Sequence, residues 1–92
     1  MKFIYPAVFT PLPKGGYQAF FPDLADCTAF GETLDDAIEK ANEAVNDWIN
    51  VELAEDEPQI PPVSEPGDIQ TLPGQIVRNI QVTIRFYEGW DE

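Results

Sequence analysis

The residues able to do chemistry in this sequence are nearly all carboxylates: 17 Asp and Glu stand against 5 Lys and Arg, with no histidine and the single cysteine Cys27. Carboxylates can serve as general acids and bases, hold a hard cation or attract a basic partner, and each use demands its own spacing. Asp23, Asp26 and Glu32 come nearest to a cation site, but their irregular spacing lacks the ligand order of a calcium loop, so no metal is expected. Cys27 has neither a histidine base nor a nearby cation to favour its thiolate, and is expected to be buried packing. A zinc site needs a Cys/His cluster that this composition excludes. The chain also lacks a Ser-His-Asp set, a phosphate-binding P-loop and a glycine-rich dinucleotide turn. No cofactor and no enzymatic activity are expected.

What remains is attraction. The net charge of −12 repels nucleic acid, and the few cations, at positions 2, 14, 40, 78 and 85, are too scattered to form a basic patch. Such a chain is suited to a basic protein partner, with solubility as the plainer explanation. Asp35, Asp36, Glu39, Glu43 and Asp47 belong to one stretch, residues 33–51. There Leu34, Ala37, Ile38, Ala41, Ala44, Val45, Trp48, Ile49 and Val51 fall within an arc of roughly 160° at helical period, with the acids outside it. Thr33 followed by Asp36 reads as a helix N-cap, and Lys40 lies four residues after Asp36 as a supporting pair. A solvated helix face accounts for the acids, yet Glu39 and Glu43 are like charges one turn apart, which costs a few tenths of a kcal/mol and leaves room for a binding role. Glu55, Asp56 and Glu57 cluster just beyond, and Trp90, outside any periodic segment, is a candidate exposed anchor.

One amphipathic helix needs one apolar surface, and the remaining segments supply it as a sheet. Residues 3–10 alternate as a strand in which Pro6 must face an unpaired side or sit at a bulge. A Pro/Gly turn then leads to a returning strand at 17–21 and a short third strand at 27–30. After the helix, residues 57–74 hold five prolines, at 58, 61, 62, 66 and 73, and form an extended connection. Residues 75–87 alternate cleanly and are the final strand, whose free edge predicts a homodimer. At this size residues 1–92 make one domain. The apolar run at the start is too short for a signal peptide or a membrane span, so a cytoplasmic protein away from membranes is expected.

The ordered short motifs Tyr5-Pro6-Ala7-Val8-Phe9, Gly15-Gly16-Tyr17, Phe21-Pro22-Asp23-Leu24, Cys27 and Gly31-Glu32-Thr33-Leu34-Asp35-Asp36-Ala37 resemble the HicB antitoxin family over residues 5–50. The acidic and proline-rich stretch with an apolar strand behind it is also similar, whereas Ala25-Asp26 stands where the family usually has Pro-Gly. The resemblance implies an α+β, degraded RNase H-like fold: a three-stranded antiparallel meander, one helix, and a fourth strand parallel to the first in the order 3-2-1-4. It also implies that the chain binds a small basic HicA-type toxin that cleaves mRNA. Many members carry a C-terminal DNA-binding module, and the sequence ending at Glu92 is expected to represent the toxin-binding domain alone, without direct nucleic-acid contact. Asp35, Glu39, Glu43, Asp47, Glu55, Asp56, Glu57 and Trp90 are the expected contact residues. The alternative is a stand-alone HicB-like binding or structural module with neither toxin nor DNA partner. Because residues 3–10 carry no carboxylate, the metal-dependent chemistry of an RNase H nuclease is not expected.

Overall fold

A computed structural model describes residues 2–57 and 59–83. Strand β1 (Lys2–Pro11) turns back into β2 (Tyr17–Phe20), β3 (Thr28–Gly31) follows, and helix α1 (Leu34–Leu53) then lies across the sheet. A single 3-10 turn at Pro66–Asp68 interrupts the long connection to β4 (Ile76–Thr83). The sheet order is β3-β2-β1-β4, as expected.

Alternation in β1 sorts its side chains. Tyr5, Ala7 and Phe9 enter the core beneath the helix, with Phe3 packed against them. Val8 points to the opposite face yet is buried, flanked in register by Phe20 of β2 and Val77 of β4. Pro6 is accommodated because the ladder with β2 begins only at Val8, leaving the proline without a neighbour to donate to on that side. The turn closes with Gly15 N–H on the Leu12 carbonyl at 3.0 Å and Leu12 N–H on the Gly16 carbonyl at 3.0 Å. Both glycines take the positive φ that this reversal requires.

The helix begins where its cap predicts. Thr33 Oγ1 accepts from Asp36 N–H at 3.0 Å, and Asp36 returns the contact by accepting from Glu32 N–H at 3.0 Å, one residue earlier than in a standard capping box. Ala37, Ala41, Val45 and Ile49, spaced by four, form its fully buried stripe. Burial of Val45 and Ile49 is worth about 1.5–3 kcal/mol each, while the alanines allow a close approach to the sheet. That approach is tightest at the end of β3, where a Cβ on Gly31 would stand 2.1 Å from the Ala37 nitrogen. Val51 departs from expectation. Although its helical angle places it with the apolar set, it is 64% exposed, because it stands at the edge of that arc, about 100° from the centre of the buried stripe, while Leu53 beyond it still packs against the core.

The fourth strand corrects the expected topology. Every pairing in the sheet is antiparallel, including β1 with β4, whose register runs from Lys2 opposite Thr83 to Phe9 opposite Ile76. The parallel fourth strand, and with it the RNase H-like connection implied by resemblance, is therefore not found. The cause lies in residues 54–75, which are long enough to travel back along the domain before the strand begins. Along this path Gln59 N–H reaches Glu52 Oε2 at 2.8 Å, the Tyr5 hydroxyl donates to the Pro61 carbonyl, and Ser64 donates to Asp23 through N–H at 2.8 Å and Oγ at 2.6 Å. Gln75 Nε2 finally donates to Thr10 Oγ1 at 3.0 Å, delivering the chain to the hairpin end of β1, so β4 must run the other way. Of the expected final strand, residues 84–87 lie outside the described residues.

The Gly31 contact yields a direct test. A methyl group there would meet backbone atoms at 2.1, 2.5 and 2.6 Å, none of which can rotate aside. Gly31→Ala is expected to cost about 3 kcal/mol, read as a lower urea midpoint with little change in slope. An unchanged midpoint would show that the helix does not pack this closely.

Candidate partner-binding surface

Asp35, Glu39, Glu43 and Asp47 follow one another at four-residue intervals on α1 and are all exposed. At a rise of 1.5 Å per residue the row is roughly 18 Å long, and it winds about the helix because four residues overshoot one turn. Opposite needs occupy the other side: Asn42 Nδ2 donates to the Gln81 carbonyl at 2.9 Å, tying the helix to edge strand β4. Glu55, Asp56 and Glu57 follow the C-cap residue Ala54 and are exposed as well. Trp90 lies outside the described residues.

This charge is not arranged for helix stability. The helix holds six carboxylates, Asp35, Asp36, Glu39, Glu43, Asp47 and Glu52, against Lys40 alone. Asp35 and Asp36 suit the positive end of the dipole, but the last turn has no basic residue to suit the negative end, and Glu55, Asp56 and Glu57 add acid there. A surface that accumulates like charge where alternation would stabilise it is suited to meeting positive charge from outside. Asp36 is drawn out of the expected pairing with Lys40 to the extent that its Oδ2 serves the Glu32 N–H.

Folding also assembles residues that linear spacing kept apart. Asp26 precedes β3 and joins Asp47 and Glu52 around a cleft whose apolar lining includes Cys27, Trp48 and Val51. The loop that carries Asp26 and Cys27 is closed by Phe21 N–H on the Cys27 carbonyl at 3.1 Å and by Cys27 N–H on the Leu24 carbonyl at 3.3 Å. Trp48 is half-buried against the core, as expected of the helix's apolar side, and its Nε1–H donates to the Ala25 carbonyl at 2.9 Å. Among the described residues, no group of three or more Cys, Asp or Glu side chains converges to hold a metal ion. Nor is any described helix long and apolar enough to cross a membrane.

A small α+β domain with an acidic helix over a four-stranded antiparallel sheet matches one established class. Residues 5–86 match the family model for the HicB-like antitoxin of bacterial toxin-antitoxin systems, and the chain belongs to that family. The family is one of antitoxins, not of enzymes. Antitoxin HicB of Escherichia coli K12 is 42% identical over 41 residues, which are 45% of this chain and 30% of that protein. A UPF0150 protein of Synechocystis is 41% identical over 44 residues, 48% of this chain and 56% of that one. The matches thus span well under two thirds of these relatives. Among solved structures, the N-terminal domain of Burkholderia pseudomallei antitoxin HicB superposes with a TM-score of 0.68 at 24% identity, covering 91% of this chain and 100% of that domain. A HicA3 and HicB3 toxin-antitoxin complex contains a chain with a TM-score of 0.66 at 27% identity, covering 90% of this chain and 99% of that one. A toxin-antitoxin complex from Streptococcus pneumoniae gives 0.73 at 20% identity, over 90% of this chain and 70% of that one.

Cys27 is buried, as expected, and burial pushes its thiol up to about 11. Since the unfolded value is near 8.5, the neutral thiol favours the folded state below that pH, and this contribution fades as pH rises toward 11. A thiol-reactive dye at pH 8 should modify Cys27 slowly in the folded protein and rapidly in urea. Equal rates would show that the site is open.

Proposed function

We propose that this chain binds and neutralises a small basic HicA-type toxin that cleaves mRNA, as an antitoxin without catalytic activity of its own. The observation that carries the reading is the exposed row Asp35, Glu39, Glu43 and Asp47, continued by Glu55, Asp56 and Glu57 beyond a helix whose last turn holds no basic residue. An RNA-cutting toxin must present positive charge to hold phosphate, and an acidic helix can be steered to that surface and occupy it in place of RNA. Kinship supports the partner class: the chain belongs to the HicB-like antitoxin family and is similar to a chain of a HicA3 and HicB3 toxin-antitoxin complex. The same net charge of −12 argues against direct nucleic-acid binding by these residues.

The proposal extends to a homodimer. Strand β4 is at the end of the sheet order, and a second copy pairing across it would satisfy its free backbone groups. Asn42 already occupies one carbonyl of that edge, at Gln81, so the pairing would involve the remainder of the strand. A monomer mass in sedimentation at high concentration would reject the dimer.

Co-expression with the product of the neighbouring reading frame, which this proposal expects to be short and basic, tests the main proposal. Restored growth and co-purification at low salt are expected, with binding that weakens as salt rises. The double change Glu39→Lys and Glu43→Lys should weaken the complex by about ten-fold or more, since it turns attraction into repulsion at the centre of the row. Failure both to restore growth and to co-purify would leave the stand-alone module as the reading. A salt-insensitive complex would move the contact to the open sheet face, where Ile4, Phe20 and Phe30 are exposed.

A further inference from the structure

A cleft of about 370 Å³ opens between the start of β3 and the last turns of α1. Its chemistry is divided. Trp48, Val51 and Cys27 supply an apolar lining, Asp26, Asp47 and Glu52 supply three carboxylates, and among the described residues no basic side chain lines it. The indole is already fixed, because its Nε1–H is committed to the Ala25 carbonyl at 2.9 Å. Val51 remains 64% exposed, an apolar side chain that the sheet does not cover. Asp26 is held at a φ of 59°, the left-handed conformation that glycine adopts with least cost.

We propose that this cleft receives an arginine side chain of the toxin, an assignment that rests on the function proposed above. The occupant follows from charge complementarity combined with the apolar lining. A simple cation would gain nothing from Val51 and would bury no apolar surface on Trp48, and an aliphatic side chain would gain nothing from three carboxylates. Arginine satisfies both: its methylene stem can cover Val51, its planar guanidinium can stack on an indole, and its fork of donors can serve more than one carboxylate. Glu52 Oε2 is engaged by Gln59 N–H at 2.8 Å, so its other oxygen, with Asp26 and Asp47, is what the guanidinium would meet. Asp47 thereby joins the acidic helix row to the cleft.

The test measures toxin affinity by calorimetry for the full chain and three variants. Val51→Ser removes apolar surface without changing charge, and Asp26→Gly removes one carboxylate while relieving its backbone. Asp68→Asn, on the exposed 3-10 turn remote in sequence from the cleft, controls for the loss of one charge. Val51→Ser and Asp26→Gly should each weaken binding by about five-fold or more, while Asp68→Asn stays within about two-fold. Asp26→Gly should do so while unfolding at the same or a higher temperature, which separates lost contact from lost structure. Replacing the toxin's arginines one at a time by alanine should reveal one whose effect is not additive with Asp26→Gly. Wild-type binding that is indifferent to Val51→Ser and Asp26→Gly would overturn the cleft and leave the antitoxin function standing. Loss in both variants without a coupled toxin arginine would overturn the choice of arginine. Absence of wild-type binding would overturn the function and the cleft together.

Discussion

The close seating of α1 on the sheet is the constraint from which the rest follows. It is possible because side chains are small or missing where the backbones meet: Gly31 at the end of β3 and Ala37 in the first turn of the helix, with Ala41 one turn further on. Larger residues then fill the space as the helix proceeds, Val45 and Ile49 against Tyr5, Ile80 and Val82 of the paired strands β1 and β4. With its fully buried stripe flanked by Leu34, Ile38, Ala44, Trp48 and Leu53, the helix turns one side to the core and leaves the other to water. That water-facing side is where Asp35, Glu39, Glu43 and Asp47 stand.

The long connection after the helix is ordered through polar tethers more than through packing. Asp23 receives both donors of Ser64, and Tyr5 reaches the Pro61 carbonyl from the core side of β1. Burial, and secondly the charge of Asp23, push the Tyr5 phenol up, keeping it a donor for that contact. Ile60 adds an apolar contact with the core. A proline-rich segment has few backbone donors of its own, so anchoring it through side chains of the sheet and its loops is an economical way to fix its path.

Local features of the fold were legible in the sequence because they depend on local rules. The Thr33–Asp36 cap, the Gly-Gly turn and the alternation in β1 and β4 each rest on residues within a few positions of one another. The neighbour relations in the sheet were also legible, since short connections place successive strands side by side. The direction of β4 was not. Handedness rules constrain a connection that crosses the sheet once, whereas residues 54–75 return along it, and whether they do depends on tethers such as Gln75 to Thr10 that join residues 65 positions apart. Exposure of Val51 escaped for a different reason: it stands at the edge of the apolar arc, and helical angle alone does not say how wide a face the sheet covers. Of the candidate surface, the helix acids could be read from spacing, but the cleft could not, because Asp26 and Asp47 become neighbours only through folding.

The antiparallel pairing of β1 with β4 has a consequence for how the protein is made. Lys2 finds Thr83 and Phe9 finds Ile76, so the first strand of this sheet is completed by its fourth, synthesised about seventy residues later. A nascent chain can form the hairpin and nucleate the helix, but Tyr5 must wait for Ile80 before its side of the core is closed. Closing a loop of this length carries an entropic cost that grows only logarithmically with the number of residues, yet it must be met before the reward of burial arrives. Such a topology couples completion of the core to emergence of β4 from the ribosome. A chain that ends before residue 76 lacks the strand that holds the acidic helix in place.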